Sequence, residues 1–234
     1  MTNVSPGNLL NAVARLAPEV KNQLGPNSEF LSDERALWTE LSCCVLSSQV
    51  PYEMAVAVAR RVSEAEVLDN IDRGSFGRIE SRLTDLLLEP VEVKGKLRRY
   101  RFPRMRAKQL AEAAQTVWER FGSLAGLAEE SSNPESMRQW MVEDLPGFGP
   151  KQASMFLRNV GLSYDLAILD RHTVQFMVVT GLCEQAPARL SDLRFYEEQE
   201  SILLKYASVL GYSAGVIDWA IWIVMRAAKS LDQQ

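Results

Sequence analysis

The chain of 234 residues is 47% apolar and 24% charged, with a net charge of −4. This is the composition of a globular protein of one or two domains, and it excludes a disordered or collagen-like chain. The most apolar stretch, Val216 to Ala228, is interrupted by Asp218 and Arg226 and falls short of the roughly 20 apolar residues that a membrane-spanning helix needs. The first residues, Met-Thr-Asn-Val-Ser-Pro-Gly, lack the basic and then apolar pattern of a signal peptide, so a cytoplasmic protein with no membrane attachment is expected.

In chain order, the apolar positions repeat with the helical period. Trp38, Leu41 and Val45 begin a stripe, and Met54, Val58 and Val62 form the next, after Pro51. Leu110, Ala114, Val117, Trp118 and Phe121 follow. Ala153, Phe156, Leu157 and Val160 form another stripe, and Ile202, Leu203, Tyr206, Val209 and Leu210 the last. No sustained alternation of apolar and polar residues occurs, so the fold expected is all-α. Breaks at Gly25-Pro26, Gly74 to Gly77, Glu89-Pro90, Ser131 to Pro134, Pro146 to Pro150, Gly161 to Asp165 and Gly211 to Gly215 divide it into roughly ten short helices.

Cys43, Cys44 and Cys183 are the only cysteines, too few for a disulfide framework, and the adjacent pair reads as buried small hydrophobes in a reducing compartment. One histidine and no Cys-x-x-Cys pair leave no ligand set for zinc or an iron–sulfur cluster. No metal is expected. Between Lys94 and Lys108 stand eight basic residues and no acidic one: Lys94, Lys96, Arg98, Arg99, Arg101, Arg104, Arg106 and Lys108. A basic block in an otherwise acidic chain points to a localised anionic partner, with a solvated loop as the alternative.

The most informative segment is Leu145-Pro-Gly-Phe-Gly-Pro-Lys151. Gly147 and Gly149 flank Phe148, and Pro150 stands where a first helical residue belongs. Such a turn presents backbone amides beside a helix N-terminus, a phosphate-binding arrangement that needs no charged side chain. Nineteen residues beyond Lys151 comes Asp170, in Asp165-Leu-Ala-Ile-Leu-Asp170-Arg-His-Thr.

These residues resemble the helix-hairpin-helix DNA glycosylase superfamily, and the run LPGFGPKQASMFLRNVGLSYDLAILDRHT looks most like the archaeal-type 8-oxoguanine DNA glycosylase/lyases. Leu46-Ser-Ser-Gln49, Arg101-Phe-Pro-Arg104 and Gly215-Val-Ile-Asp-Trp-Ala-Ile-Trp222 extend the resemblance over about residues 36–226. It implies two helical subdomains with a helix-hairpin-helix motif between them. One is expected to comprise 1–95 with 215–234. The other, 96–214, is expected to carry the catalytic residues.

The resemblance makes Lys151 the nucleophile and Asp170 its catalytic carboxylate. A lysine nucleophile must be neutral when it attacks, and the positive end of a helix disfavours its charged form. An ionised Asp170 would stabilise a cationic sugar. The DNA-binding residues expected are Gln49, filling the gap left by a flipped nucleotide, then Arg98 and Arg99, and Gly147, Phe148 and Gly149 of the hairpin. Asp218 and Trp222 are the expected base pocket. His172, the only histidine, is given a capping or packing role. The expected partner is double-stranded DNA containing a modified base, bound by a monomer. No redox or nucleotide cofactor is implied, with a monovalent cation at the hairpin carbonyls the one option.

Where archaeal relatives end in a lysine that helps read the base, this sequence continues through Arg226, Lys229 and Ser230 to Leu231-Asp-Gln-Gln234. The base excised is therefore open between 8-oxoguanine and another modified base, for example a hypermodified phage cytosine, which would make the protein a defence factor. A non-catalytic helix-hairpin-helix DNA-binding module is the alternative from a different class, and such a module has no use for both Lys151 and Asp170.

Overall fold

A computed structural model of the chain describes residues 4–25, 28–69, 71, 75–130 and 133–231. The expected breaks at Pro26, Gly74 and Ser131, and the final Asp-Gln-Gln, lie outside these residues. Among the described residues the fold is all-α, with twelve helices and a single two-stranded hairpin. Two compact units divide the chain, one continuous (Asn27–Phe148) and one assembled from Met1–Pro26 with Gly149–Gln234. The expected boundaries at 95 and 214 differ from these. Neither end of the chain carries an obvious linker, because a helix that joins a core made mostly by the far end of the sequence leaves no compositional break.

The continuous unit contains α2 (Ser28–Ser32), α3 (Glu34–Leu46), α4 (Tyr52–Glu64), α5 (Phe76–Leu88), β1 (Val91–Val93), β2 (Lys96–Arg98), α6 (Pro103–Phe121), α7 (Leu124–Glu130) and α8 (Pro134–Asp144). Helix α5 packs along α6, α3 along α4, and β1 against α4. Two side chains close helix ends across long stretches of sequence. Glu34 accepts the amides of Leu124 and Ala125 at 2.8 and 2.9 Å, capping α7. Arg61 donates to the carbonyls of Glu89 and Pro90 at 2.8 and 2.7 Å, where α5 gives way to the hairpin. Both supply what a helix terminus lacks of its own.

The hairpin is the one pair of strands in this helical fold among the described residues. Val91, Glu92 and Val93 pair with Arg98, Leu97 and Lys96 across a two-residue turn, Lys94-Gly95, with φ of +54° and +72°. A turn with both central residues left-handed matches the twist of the strands. Each strand is only three residues long, and charge occupies most of the alternation, so the period is too brief to register.

The second unit contains α1 (Pro6–Gln23), α9 (Pro150–Asn159), α10 (Arg171–Val179), α11 (Leu193–Leu210) and α12 (Ala214–Leu231). Helix α12 runs through its core. Leu9, Val13, Ala17 and Val20 of α1 join Phe176 and Met177 of α10, Tyr196, Leu203 and Ala207 of α11, and Ile217, Ala220, Ile221 and Met225 of α12. No single helix among the described residues is long and apolar enough to cross a membrane.

Candidate active site and DNA-binding elements

Helix α9 starts on Pro150, which has no N–H to leave unpaired in a first turn, and its N-cap is Gly149, which offers no side-chain cap. Lys151 stands half-buried in the first turn, at the positive end of a helix whose first turn contains no acidic residue. The preceding turn closes through the Phe148 amide, which donates to the Leu145 carbonyl at 3.1 Å. Gly147 has φ of +88°, and a Cβ there would lie 2.9 Å from Gln109 Oε1, so conformation and space both call for glycine. Gly149 is extended, with φ of −118° and ψ of 178°, a conformation open to any residue. Phe148 is buried and its amide is engaged by Leu145, so its ring anchors the turn.

Asp170 is the N-cap of α10, and its Oδ1 accepts the amides of His172 and Thr173, both at 2.8 Å. The cap fixes the carboxylate at a helix N-terminus. The segment ahead of it, Leu166 to Leu169, is buried and has no helix or strand to pair its amides, so those amides need other partners. Three successive amides find buried side chains. Ala167 donates to Glu200 Oε1 at 2.7 Å, Ile168 to Asp218 Oδ2 at 2.7 Å, and Leu169 to Tyr196 Oη at 2.8 Å. The Tyr196 hydroxyl donates in turn to the Ala167 carbonyl at 2.8 Å.

Asp218 thus does something other than the base recognition expected of it. It is 2% exposed, one oxygen is taken by Ile168, and the other pairs with the Arg158 guanidinium of α9. Through these bonds α12 ties the helix of Lys151 to the segment that ends in Asp170. Burial pushes the Asp218 carboxyl up to about 7, against the Arg158 charge and the Ile168 amide. Trp222, one turn further along α12, is half-buried with the Arg226 guanidinium 4.5 Å over its ring, the contact expected of a cation on an aromatic face. His172 is buried, and burial lowers its pKa. Its Nε2 accepts from Arg171 at 3.3 Å, in keeping with a packing role.

Glu200, Tyr196 and Arg158 were not singled out from the sequence. A signal was present for two of them: Tyr196 and Glu200 share the i, i+4 face of α11 that continues to Leu203, and an acid on such a face needs a buried partner.

In the other unit, Gln49 follows α3 exposed and with φ of +63°, a left-handed conformation that costs energy for a non-glycine residue. Two bonds bring the basic segment against this loop. The Tyr100 hydroxyl donates to the Leu46 carbonyl at 2.9 Å, and Lys94 Nζ pairs with Glu53 at 3.0 Å. Tyr100 is buried, and burial pushes its phenol up to about 12. Arg106 donates to Gln109 at 2.7 Å, the residue that abuts Gly147. Tyr100 thus ties the basic segment to the end of α3, and Gln109 packs beside the hairpin turn.

Of the eight cations in the block, Arg106 is buried, Lys94 pairs with Glu53 and Lys108 with Glu112. Lys96, Arg98, Arg99, Arg101 and Arg104 are exposed, with no acidic partner among the described residues. Nor do those residues hold a cluster of three or more His, Cys, Asp or Glu side chains placed to bind a metal.

A lysine in the first turn after a glycine-closed hairpin, with an aspartate capping the next long helix, is the arrangement of the helix-hairpin-helix DNA glycosylases. The match reaches well past this motif. Residues 26–212 fit the family model of 8-oxoguanine DNA glycosylase with its helix-hairpin-helix, and the chain belongs to that family. It is 30% identical over 193 residues to the 8-oxoguanine DNA glycosylase/AP lyase of Thermotoga maritima, covering 82% of this chain and 81% of that protein. The enzyme of the same name from Saccharolobus solfataricus is 29% identical, over 82% of this chain and 83% of its own. The crystal structure of the Thermotoga maritima 8-oxoguanine DNA glycosylase superposes with a TM-score of 0.70 at 26% identity, over 93% of this chain and 95% of that one.

Proposed function

We propose that this chain removes 8-oxoguanine from double-stranded DNA and then cleaves the strand, acting as a monomer through Lys151 and Asp170. The observation that carries the reading is that the first-turn Lys151 and the helix-capping Asp170 lie in one compact unit, inside the span that fits the family. The names of the relatives give the base.

Lys151 Nζ attacks C1′ of the flipped nucleotide as the bond from C1′ to the base breaks, and the base leaves with the electron pair and takes up a proton. Positive charge develops on the sugar, and the fixed Asp170 carboxylate stabilises it. The amine then loses its proton and the sugar ring opens to a Schiff base. Loss of a proton from C2′ expels the 3′ phosphate, and water releases the enzyme. Gln49 occupies the gap in the duplex, Arg98 and Arg99 neutralise phosphates, and Trp222 walls the base pocket. A monovalent cation would be held by carbonyls of the 145–149 turn, where Leu145 and Gly149 each accept one amide and keep a second lone pair; it would add positive charge where a phosphate approaches.

Borohydride trapping over a panel of modified duplexes tests the reading. A covalent adduct and free base are expected with 8-oxoguanine and not with guanine. Release confined to a modified cytosine, such as glucosylated hydroxymethylcytosine, overturns the base while leaving the two catalytic roles in place. Binding without release from any duplex returns the chain to a non-catalytic module.

A further inference from the structure

Asp218, Trp222 and Arg226 follow one another at four-residue spacing along α12, which sets them on one side of the helix. That side is placed at both ends. Asp218 accepts the Ile168 amide at 2.7 Å, two residues ahead of Asp170. At the other end α12 packs against α10, where the His172 amide is bonded to the Asp170 carboxylate. Burial lowers the His172 pKa and, against the Asp170 charge, the Arg171, Arg226 and Lys229 charges lower it further. The side of α12 that carries Trp222 therefore runs past Asp170, from Ile168 to His172, within one compact unit.

Arg226 is exposed, and its guanidinium lies 4.5 Å over the Trp222 ring. The guanidinium fork carries more N–H donors than contact with a ring can occupy. Held over the indole, it sets those donors beside an aromatic face on which a flipped base stacks. Excision places charge on that base. As Lys151 Nζ bonds to C1′ and the bond from C1′ to N9 breaks, N9 keeps the electron pair. The negative charge spreads through the ring onto O6 and O8, and a proton from water then neutralises it. Asp170 answers the positive charge on the sugar; the opposite charge, on the base, calls for a cation.

We propose that Arg226 binds the flipped base through its carbonyl oxygens and stabilises the negative charge that the base acquires as it leaves. The inference rests on the glycosylase reading and deepens it, adding to Trp222 a cation that acts on the leaving base.

The test is Arg226→Gln, with Lys205→Gln at an exposed position of α11 as a control of equal charge change. Two single-turnover rates are compared. One is release of 8-oxoguanine from duplex; the other is strand cleavage at a preformed abasic site, which needs Lys151 and has no base to bind. Arg226→Gln should slow release about thirtyfold, the loss of a hydrogen bond from a charged donor, and leave abasic-site cleavage within about twofold. Lys205→Gln should leave both rates unchanged. Equal losses on the two substrates, as for a cation that holds a backbone phosphate or supports the fold, overturn the proposal, and so does an unchanged release rate. The unaltered chain reports on the reading beneath it. Cleavage at the abasic site without release of 8-oxoguanine overturns the base and this inference together, whereas release that does not depend on Arg226 overturns the inference alone.

Discussion

Two short stretches without helix make an instructive pair. Leu166 to Asp170 is buried, and three of its amides are held in succession by Glu200, Asp218 and Tyr196. Lys94 to Tyr100 contains an edge strand, paired on one side with β1 and tied by side-chain bonds to Glu53 and Leu46, and its cations stand in solvent. The contrast follows from what each must do. In the proposed mechanism, bond making at C1′ tolerates displacements well under an ångström, so a carboxylate that assists it belongs on a backbone with no slack. Attraction between a cation and a phosphate falls off slowly with distance, so the groups that supply it can remain loose.

The sharpest way to break the comparison is at the chemistry itself. Lys151→Gln should reduce base release by at least about 10⁴-fold and abolish borohydride trapping, with duplex binding kept; a trapped adduct in this variant removes Lys151 from the nucleophile's role. Asp170→Asn keeps an acceptor for the capping amides and loses the charge. A loss of about 10³-fold in single-turnover rate is expected, and a near-normal rate would reduce Asp170 to a helix cap.

Next in size is the support behind Asp170. Tyr196→Phe leaves the Leu169 amide and the Ala167 carbonyl without their buried partner, at about 1–3 kcal/mol. Denaturant unfolding should show that loss, and single-turnover release should slow about tenfold while the affinity for an abasic-analogue duplex is unchanged. Equal losses in rate and affinity would mean that the unit as a whole has loosened.

Neutralising Arg98 and Arg99 together should weaken damaged and undamaged duplex alike and lower the salt slope by about one to two. An unaltered slope would return the segment to a solvated loop. The smallest effect concerns pH. The folded Asp218 carboxyl titrates at about 7, above its ordinary value, so it contributes stability that is complete below about pH 4 and is lost as pH rises through 7. The stability of the unaltered chain relative to Asp218→Asn should therefore fall between pH 4 and 7, with a slope of at most about 1.4 kcal/mol per pH unit. A flat difference would contradict the shift.

How far the sequence reveals this arrangement depends on the range of the interactions involved. The helical stripes are local, and those on Leu110 to Phe121 and on Ala153 to Val160 became α6 and α9. The places of Lys151 and Asp170 at helix starts were legible because neighbouring residues announce such starts. Asp218 stood out as a charge in an apolar run, but its role was misread: nothing local says that the partner of a buried acid lies sixty residues away on Arg158. Arg106 was counted in the basic block because charge is visible in a sequence and burial is not. Helix α1 escaped for a related reason. Its apolar face, Leu9, Val13, Ala17 and Val20, meets a helix near the other end of the chain.

That last pairing has a consequence for how the protein comes into being. Helix α1 is made before the continuous unit, while α12, against which it packs, is made after it. Domains tend to close as they emerge, and the continuous stretch 27–148 has all its own helices before Lys151 has been translated. On the proposed roles of the basic segment and of Lys151, a nascent chain would acquire its grip on nucleic acid before it could cut, and a chain abandoned before α12 would retain the cationic unit alone. The unit that holds Lys151 and Asp170 closes its core when α1 has met α12.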